Sequence, residues 1–141
     1  MQDLLKDYPS IIEQKIAWGD MDAAQHINNT VYFRYFESGR IAYFDEIGFS
    51  DFDQIGPILA ETSCRYRIPL IHPDTISIAT RIQTDSFYEF GFVMEHVVVS
   101  HQHQQIAAKG TSRIVSYDYS KREKAPLPQV LKDKMLACER K

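Results

Sequence analysis

The chain has 141 residues, of which 44% are hydrophobic and 25% charged, and its formal net charge is −3. Those proportions exclude a disordered or fibrous chain, and at roughly 150 residues per domain the length points to a single domain over residues 1–141. The negative balance argues against general affinity for nucleic acid or an anionic membrane, which needs a broad basic surface.

The first ten residues carry Asp3, Lys6 and Asp7 and no apolar centre, so no signal peptide is expected. No apolar run approaches the ~18 residues that span a bilayer. Two cysteines, Cys64 and Cys138, are too few for a disulfide framework. The expectation is a reduced, cytoplasmic protein that engages neither membrane nor nucleic acid.

Residues 11–18 alternate, with Ile12, Gln14, Ile16 and Trp18 on one face, and predict a strand. Residues 19–29 are small and polar and read as a loop, with Asn28 or Asn29 suited to cap a helix. From Thr30 to Ile47 the period becomes helical. Tyr32, Phe36, Gly39, Tyr43 and Ile47 form one stripe, while Arg34, Glu37, Arg40, Asp45 and Glu46 mostly avoid it. Gly39 costs a helix about 1 kcal/mol relative to Ala, which implies close approach to another backbone. Gly48 suits the C-terminal cap.

A turn-rich stretch over residues 50–57 follows. Residues 58–70 then alternate strictly, with Cys64 on the apolar face, and Pro69 and Pro73 close the run. Residues 76–82, 87–100 and 105–117 give three more strands, with Asp85-Ser86 and residues 100–104 short enough for hairpins. After Pro126 and Pro128, residues 129–140 predict a short amphipathic helix. The fold class is α+β: a five-stranded antiparallel sheet wrapped around one long central helix, with a short C-terminal helix.

The chemistry concentrates in the loop. Asp20, Asp22, His26, Asn28 and Asn29 fall within ten residues between a strand and a helix start. A helix N-terminus offers free N–H groups and a positive dipole end, which hold carboxylates or face a developing oxyanion. Such a loop can supply a base or nucleophile with electrophilic assistance, as acyl transfer needs. The plainer alternative is that these side chains cap the helix and set turns. The loop has no HExxH spacing and the chain no paired CxxC, so no metal is expected. His101 and His103 read as a solvated turn pair, and Cys64 as core filler.

Asp20-Met21-Asp22, His26-Ile27-Asn28-Asn29 and Tyr32, continued by residues 35–40, resemble the signature of hotdog-fold acyl-CoA thioesterases. The pattern D-x-D-x-x-x-H-[VI]-N-N-x-x-Y is similar to that of the 4-hydroxybenzoyl-CoA thioesterase-like branch, and the order of elements matches the hotdog fold over essentially the whole chain. The resemblance implies an acyl-CoA substrate, no cofactor, and catalysis by the second carboxylate of the pair, Asp22. It implies that the Asn29 backbone amide polarises the thioester carbonyl and that His26 assists. Plant acyl-carrier-protein thioesterases carry an asparagine where this chain has Ala24, a departure that removes one polar helper. Glu61 is a candidate for the glutamate that some relatives place on a later strand.

Tyr32 and Tyr35 are candidates to line an acyl tunnel. Arg65 and Arg67 could contact the phosphates of coenzyme A, or simply sit on a solvated strand face. Relatives pair sheet edges into dimers with active sites at the subunit interface, so a homodimer or homotetramer is expected. The competing function is a non-catalytic acyl-CoA-binding or regulatory module; a dehydratase would need a different His and Asp arrangement.

Overall fold

The computed structural model describes residues 1–50 and 54–140. In chain order it has α1 (Gln2–Leu5), β1 (Ser10–Lys15), a 3₁₀ turn (Trp18–Asp20), α2 (Val31–Ile47), β2 (Ile55–Tyr66), β3 (Thr75–Ile82), β4 (Gly91–Ser100), β5 (Gln105–Asp118), β6 (Glu123–Lys124) and α3 (Gln129–Glu139). Five strands form one antiparallel sheet in the order β1-β3-β4-β5-β2. The expected five strands are therefore six: β6, two residues long, pairs with Tyr117 and Asp118 of β5 where β4 has ended. Two residues are too few to show a period.

Helix α2 packs against β1, β3, β4 and β5. Its expected stripe is buried, and Tyr35, Arg40 and Phe44 are buried beside it. Arg40 therefore departs from the exposed face expected of it. The N-terminal half of the helix sits in one cluster with Ile76, Ile78, Val98 and Ala108. The C-terminal half sits in another with Phe49, Phe92, Met94, Ile114 and Met135. On the opposite face of the sheet, Leu5 of α1 covers Ala79, Val97 and Val99.

Gly39 makes the expected close approach, but to a side chain rather than a backbone. A Cβ there would lie 2.5 Å from Thr80 Oγ1. Gly48 ends the helix in the left-handed conformation, with φ 76° and ψ 35°. The helix cap is Thr30, and Asn28 works two residues earlier, its Oδ1 accepting from the Thr30 N–H at 2.9 Å. Helix α3 is fastened through Glu139 Oε2, which accepts from Tyr43 O–H at 2.5 Å and from the Ile82 N–H at 3.0 Å.

Other boundaries differ from expectation for local reasons. β1 stops at Lys15; the Ile16 N–H still bonds the Asp74 carbonyl in register, and the chain then turns into the 3₁₀ turn at Trp18–Asp20. β2 begins at Ile55 and ends at Tyr66; beyond it the N–H groups of Arg67 and Ile68 converge on the Ala107 carbonyl. Residues 51–53 of the turn-rich stretch lie outside the described residues. A bulge between Leu59 and Glu61 shifts the alternation, so Leu59 faces Ile114 across the pair and Glu61 faces Arg113. β4 begins at Gly91 instead of residue 87. Ser86 Oγ donates to the Gln83 carbonyl and accepts from the Val93 N–H, which makes residues 83–90 a built loop rather than a two-residue turn. His101 is no free turn residue, since its Nε2 lies 2.8 Å from Ser77 Oγ.

A polar chain runs between α2 and the sheet. Thr80 Oγ1 meets His96 Nδ1 at 3.1 Å, His96 Nε2 meets Ser112 Oγ at 2.8 Å, and Arg40 Nη1 donates to Ser112 Oγ at 3.0 Å. Phe36 stacks on the imidazole at 5.0 Å. Burial first, then the Arg40 charge, pushes the His96 pKa down to about 3. A base with a depressed folded pKa contributes stability above its unfolded pKa and loses it as pH falls. Wild type should therefore lose on the order of a few kcal/mol between pH 6.5 and 3 through this residue. Urea unfolding at about pH 7 and about pH 4 should show a steeper loss for wild type than for His96→Gln; parallel losses would contradict the account.

Candidate active site

The loop between β1 and α2 is held by its own backbone. The Asp22 N–H donates to the His26 carbonyl at 2.9 Å, and the Gln25 N–H returns to the Asp22 carbonyl at 2.9 Å. Gln25 takes a positive φ of 66° to close this turn. The Ile27 N–H reaches the Leu70 carbonyl at 2.8 Å, and the Asn28 N–H reaches the Asp20 carbonyl at 3.0 Å. The loop is thereby tied to the β2–β3 connection and to its own start.

The two carboxylates of the D-x-D pair have different surroundings. Asp20 Oδ2 pairs with Arg34 Nη2 at 2.6 Å, across the first turn of α2. Asp22 Oδ1 accepts from the Ala24 N–H at 2.9 Å. Asp22 Oδ2 has no hydrogen-bond partner among the described residues. At Ala24, where plant relatives carry an asparagine, a backbone amide thus orients the aspartate.

The helix start supplies the complementary group. The Asn28 carbonyl accepts from the Val31 N–H at 3.0 Å. In a trans peptide the N–H points opposite to the C=O, so the Asn29 N–H at the far end of that peptide points out of the helix. It makes no hydrogen bond among the described residues. The Asn29 carbonyl is fixed in turn by Tyr66 O–H at 2.7 Å.

Asp22, His26, Asn29 and Tyr32 line one cavity of about 330 Å³, closed by Tyr66, Arg67, Ile68 and Pro69. Tyr32 packs edge-on against Tyr66 at 4.9 Å. Burial raises the Tyr32 pKa and, with Cys64 beside it, pushes Tyr66 up to about 12, so both phenols stay protonated donors. His26 is half-buried at the rim, with a side chain free of hydrogen bonds among the described residues.

The structure brings together four of the expected residues with Arg67, and leaves two apart. Arg65 lines a separate cavity with Arg81, Glu95 and Lys109, directly across the strand pair from Lys109. Glu61 is exposed on the edge strand β2 and outside the Asp22 cavity. Tyr66, Ile68 and Pro69 join the site without a motif of their own to mark them. The signal for Tyr66 is its place beside Cys64 on the alternating apolar face. Among the described residues, no group of three or more His, Cys, Asp or Glu is arranged to hold a metal ion. No helix among them is long and apolar enough to cross a membrane.

This sheet, helix and loop define a hotdog-fold thioester hydrolase. Residues 16–135 match the Thioesterase-like superfamily, and the chain belongs to that family. Among solved structures, it is similar to a thioesterase from Thermus thermophilus complexed with coenzyme A and Zn. That likeness has 25% identity and a TM-score of 0.85, over 97% of this chain and 99% of the other. A Pseudomonas aeruginosa protein named as a candidate thioesterase is 25% identical, with a TM-score of 0.80 over 89% of this chain and 97% of its own. A 1,4-dihydroxy-2-naphthoyl-CoA thioesterase from Synechocystis shares the fold at 16% identity, with a TM-score of 0.78 over 90% of this chain and 95% of its own. No curated protein matches the chain.

An exposed ion pair contributes under about 1 kcal/mol, so Asp20→Ala should barely move the urea midpoint. Thioester hydrolysis should instead fall by about 10- to 100-fold, because the loop carrying Asp22 and Asn29 loses an anchor. Side-by-side unfolding and turnover measurements check this; a large stability loss with normal turnover would contradict it.

Proposed function

We propose that this protein hydrolyses acyl-CoA thioesters to free acid and CoA, with Asp22 as nucleophile or general base. One observation carries the reading. An uncommitted carboxylate oxygen of Asp22 and an uncommitted N–H of Asn29 belong to one cavity. In the first route Asp22 attacks the carbonyl carbon, CoA leaves as thiolate, and water cleaves the resulting anhydride. In the second, Asp22 takes a proton from a water that attacks the same carbon. Both routes put negative charge on the carbonyl oxygen, where the Asn29 N–H and the α2 dipole stabilise it. One such donor contributes ~10²–10³ in kcat.

His26 holds the water or the thioester at the rim. Tyr32 lines the acyl path, and Arg67 at the cavity mouth meets a phosphate of coenzyme A. Arg65 and Lys109, like charges directly opposed, give a second seat for phosphate on the outer surface. The coenzyme A complex of the Thermus thermophilus neighbour supports this carrier.

The working form is proposed to be a homodimer, or a tetramer built from it, in the cytoplasm. β2 is an edge strand, with Ile58 and Leu59 exposed at 38% and 42%. An open apolar edge is satisfied by pairing with a second copy. Glu61, near the middle of that strand, would face the second copy in such a dimer.

Asp22→Asn should lower kcat by at least ~10²-fold while leaving the unfolding midpoint in place. Release of free thiol from a panel of acyl-CoAs, followed with a thiol-reactive dye, measures it. Unchanged kcat would remove Asp22 from the mechanism, and binding without any thiol release by wild type would favour a non-catalytic acyl-CoA module. Light scattering at micromolar concentration should report a dimer or tetramer; a monomer that turns over at full rate would contradict the shared site.

A further inference from the structure

A second cavity, of about 490 Å³, lies at the other end of the fold between α2 and the start of β2. Ile41, Phe44, Phe49, Leu59 and Ile114 supply apolar wall, and Arg40 lies among them. Its size is that of a small-molecule pocket; Glu37 and Asp45 also line it, and Arg40 is its one cation.

Arg40 is the unusual member. It is only 9% exposed, yet its guanidinium makes a single hydrogen bond among the described residues, from Nη1 to Ser112 Oγ. Of about five N–H donors, about four remain unfilled. No carboxylate among the described residues lies within ion-pair distance of it. Glu37, one turn earlier, is exposed, lines the same cavity and acts on Arg40 through its charge without an ion pair. A buried guanidinium without an ionised partner is costly, and a carboxylate is the group that answers it, with two parallel hydrogen bonds.

Symmetry connects this cavity to the catalytic one. Within one chain, Arg40 stands eleven residues along α2 from Asn29, about 16 Å at ~1.5 Å per residue. Pro57, Ile58 and Leu59 line the Arg40 cavity at the start of β2, and Tyr66 lines the Asp22 cavity at its end. Two copies of β2 paired antiparallel about their middle set the end of each strand beside the start of the other. The Arg40 cavity of one copy then adjoins the Asp22 cavity of its partner.

We propose that the Arg40 cavity receives the distal end of the acyl group whose thioester lies at the partner's Asp22, and that Arg40 selects acyl groups ending in a carboxylate. The inference rests on the acyl-CoA thioesterase reading and names its substrate class: the mono-CoA thioesters of dicarboxylic acids.

Adipoyl-CoA and hexanoyl-CoA have equal chain length and differ by the terminal carboxylate. Wild type should favour adipoyl-CoA in kcat/KM by about 10- to 100-fold, the range of one or two hydrogen bonds to a charged group. Arg40→Met should remove the preference mainly through KM for adipoyl-CoA and leave hexanoyl-CoA turnover near wild type. Arg40→Lys, which keeps the charge and loses the fork, should retain part of the preference. Equal or better turnover of hexanoyl-CoA by wild type overturns the inference while leaving the thioesterase reading intact, whether or not the variants fold. So does an Arg40→Met protein that loses its dimer but keeps the preference, since the guanidinium then serves the interface. Failure of wild type to cleave either thioester overturns the thioesterase reading and the inference with it.

Discussion

The placement of Asp22 depends on a loop whose backbone closes on itself and on its neighbours. The backbone of residues 22–26 closes on itself, Asn28 closes on Asp20, and Ile27 closes on Leu70. Asp22 Oδ2 and the Asn29 N–H have no hydrogen-bond partner among the described residues. Loops normally satisfy buried amides internally or with water. Here the closure holds Asp22 and Asn29 at one cavity, the preorganised arrangement that the proposed oxyanion role calls for.

The rest of the fold holds the helix start still. Helix α2 lies close on the sheet because Gly39 admits Thr80, and because Gly110 of β5 leaves room for the Phe36 ring. The Thr80, His96 and Ser112 chain links three strands of the sheet, and Arg40 ties it to the helix. Tyr66 joins the edge strand to the Asn29 carbonyl, so β2 and the helix start move together. The same strand that braces the site is the free edge of the sheet. The proposed catalytic geometry and the proposed dimer thus draw on one element.

Much of the architecture is legible in the sequence because it follows period and local chemistry. The stripe of Tyr32, Phe36, Gly39, Tyr43 and Ile47 locates α2, and Gly48 its end. The alternating residues around Cys64 locate β2, and the crowded polar loop locates the cavity. What the sequence hides is tertiary. The bulge at β2 changes which residues face the helix, and nothing in the run of residues 58–70 marks it. The two-residue β6 has no pattern to read. Arg40 reads as a solvated charge, because the Ser112 hydroxyl that receives it lies 72 residues further along the chain. Arg65 and Arg67 read as equivalent at spacing two. β2 ends between them at Tyr66, and they line different cavities.

The central claim is that a thioester carbonyl seats between the Asn29 amide and Asp22. A crystal structure with an acyl-CoA analogue whose sulfur is replaced by a methylene tests it directly. The account predicts the ketone oxygen about 2.7–3.2 Å from the Asn29 nitrogen, with Asp22 Oδ2 or a water it holds about 3–3.5 Å from the carbonyl carbon. A ketone seated away from both groups, with Asp22 turned to solvent, would contradict it.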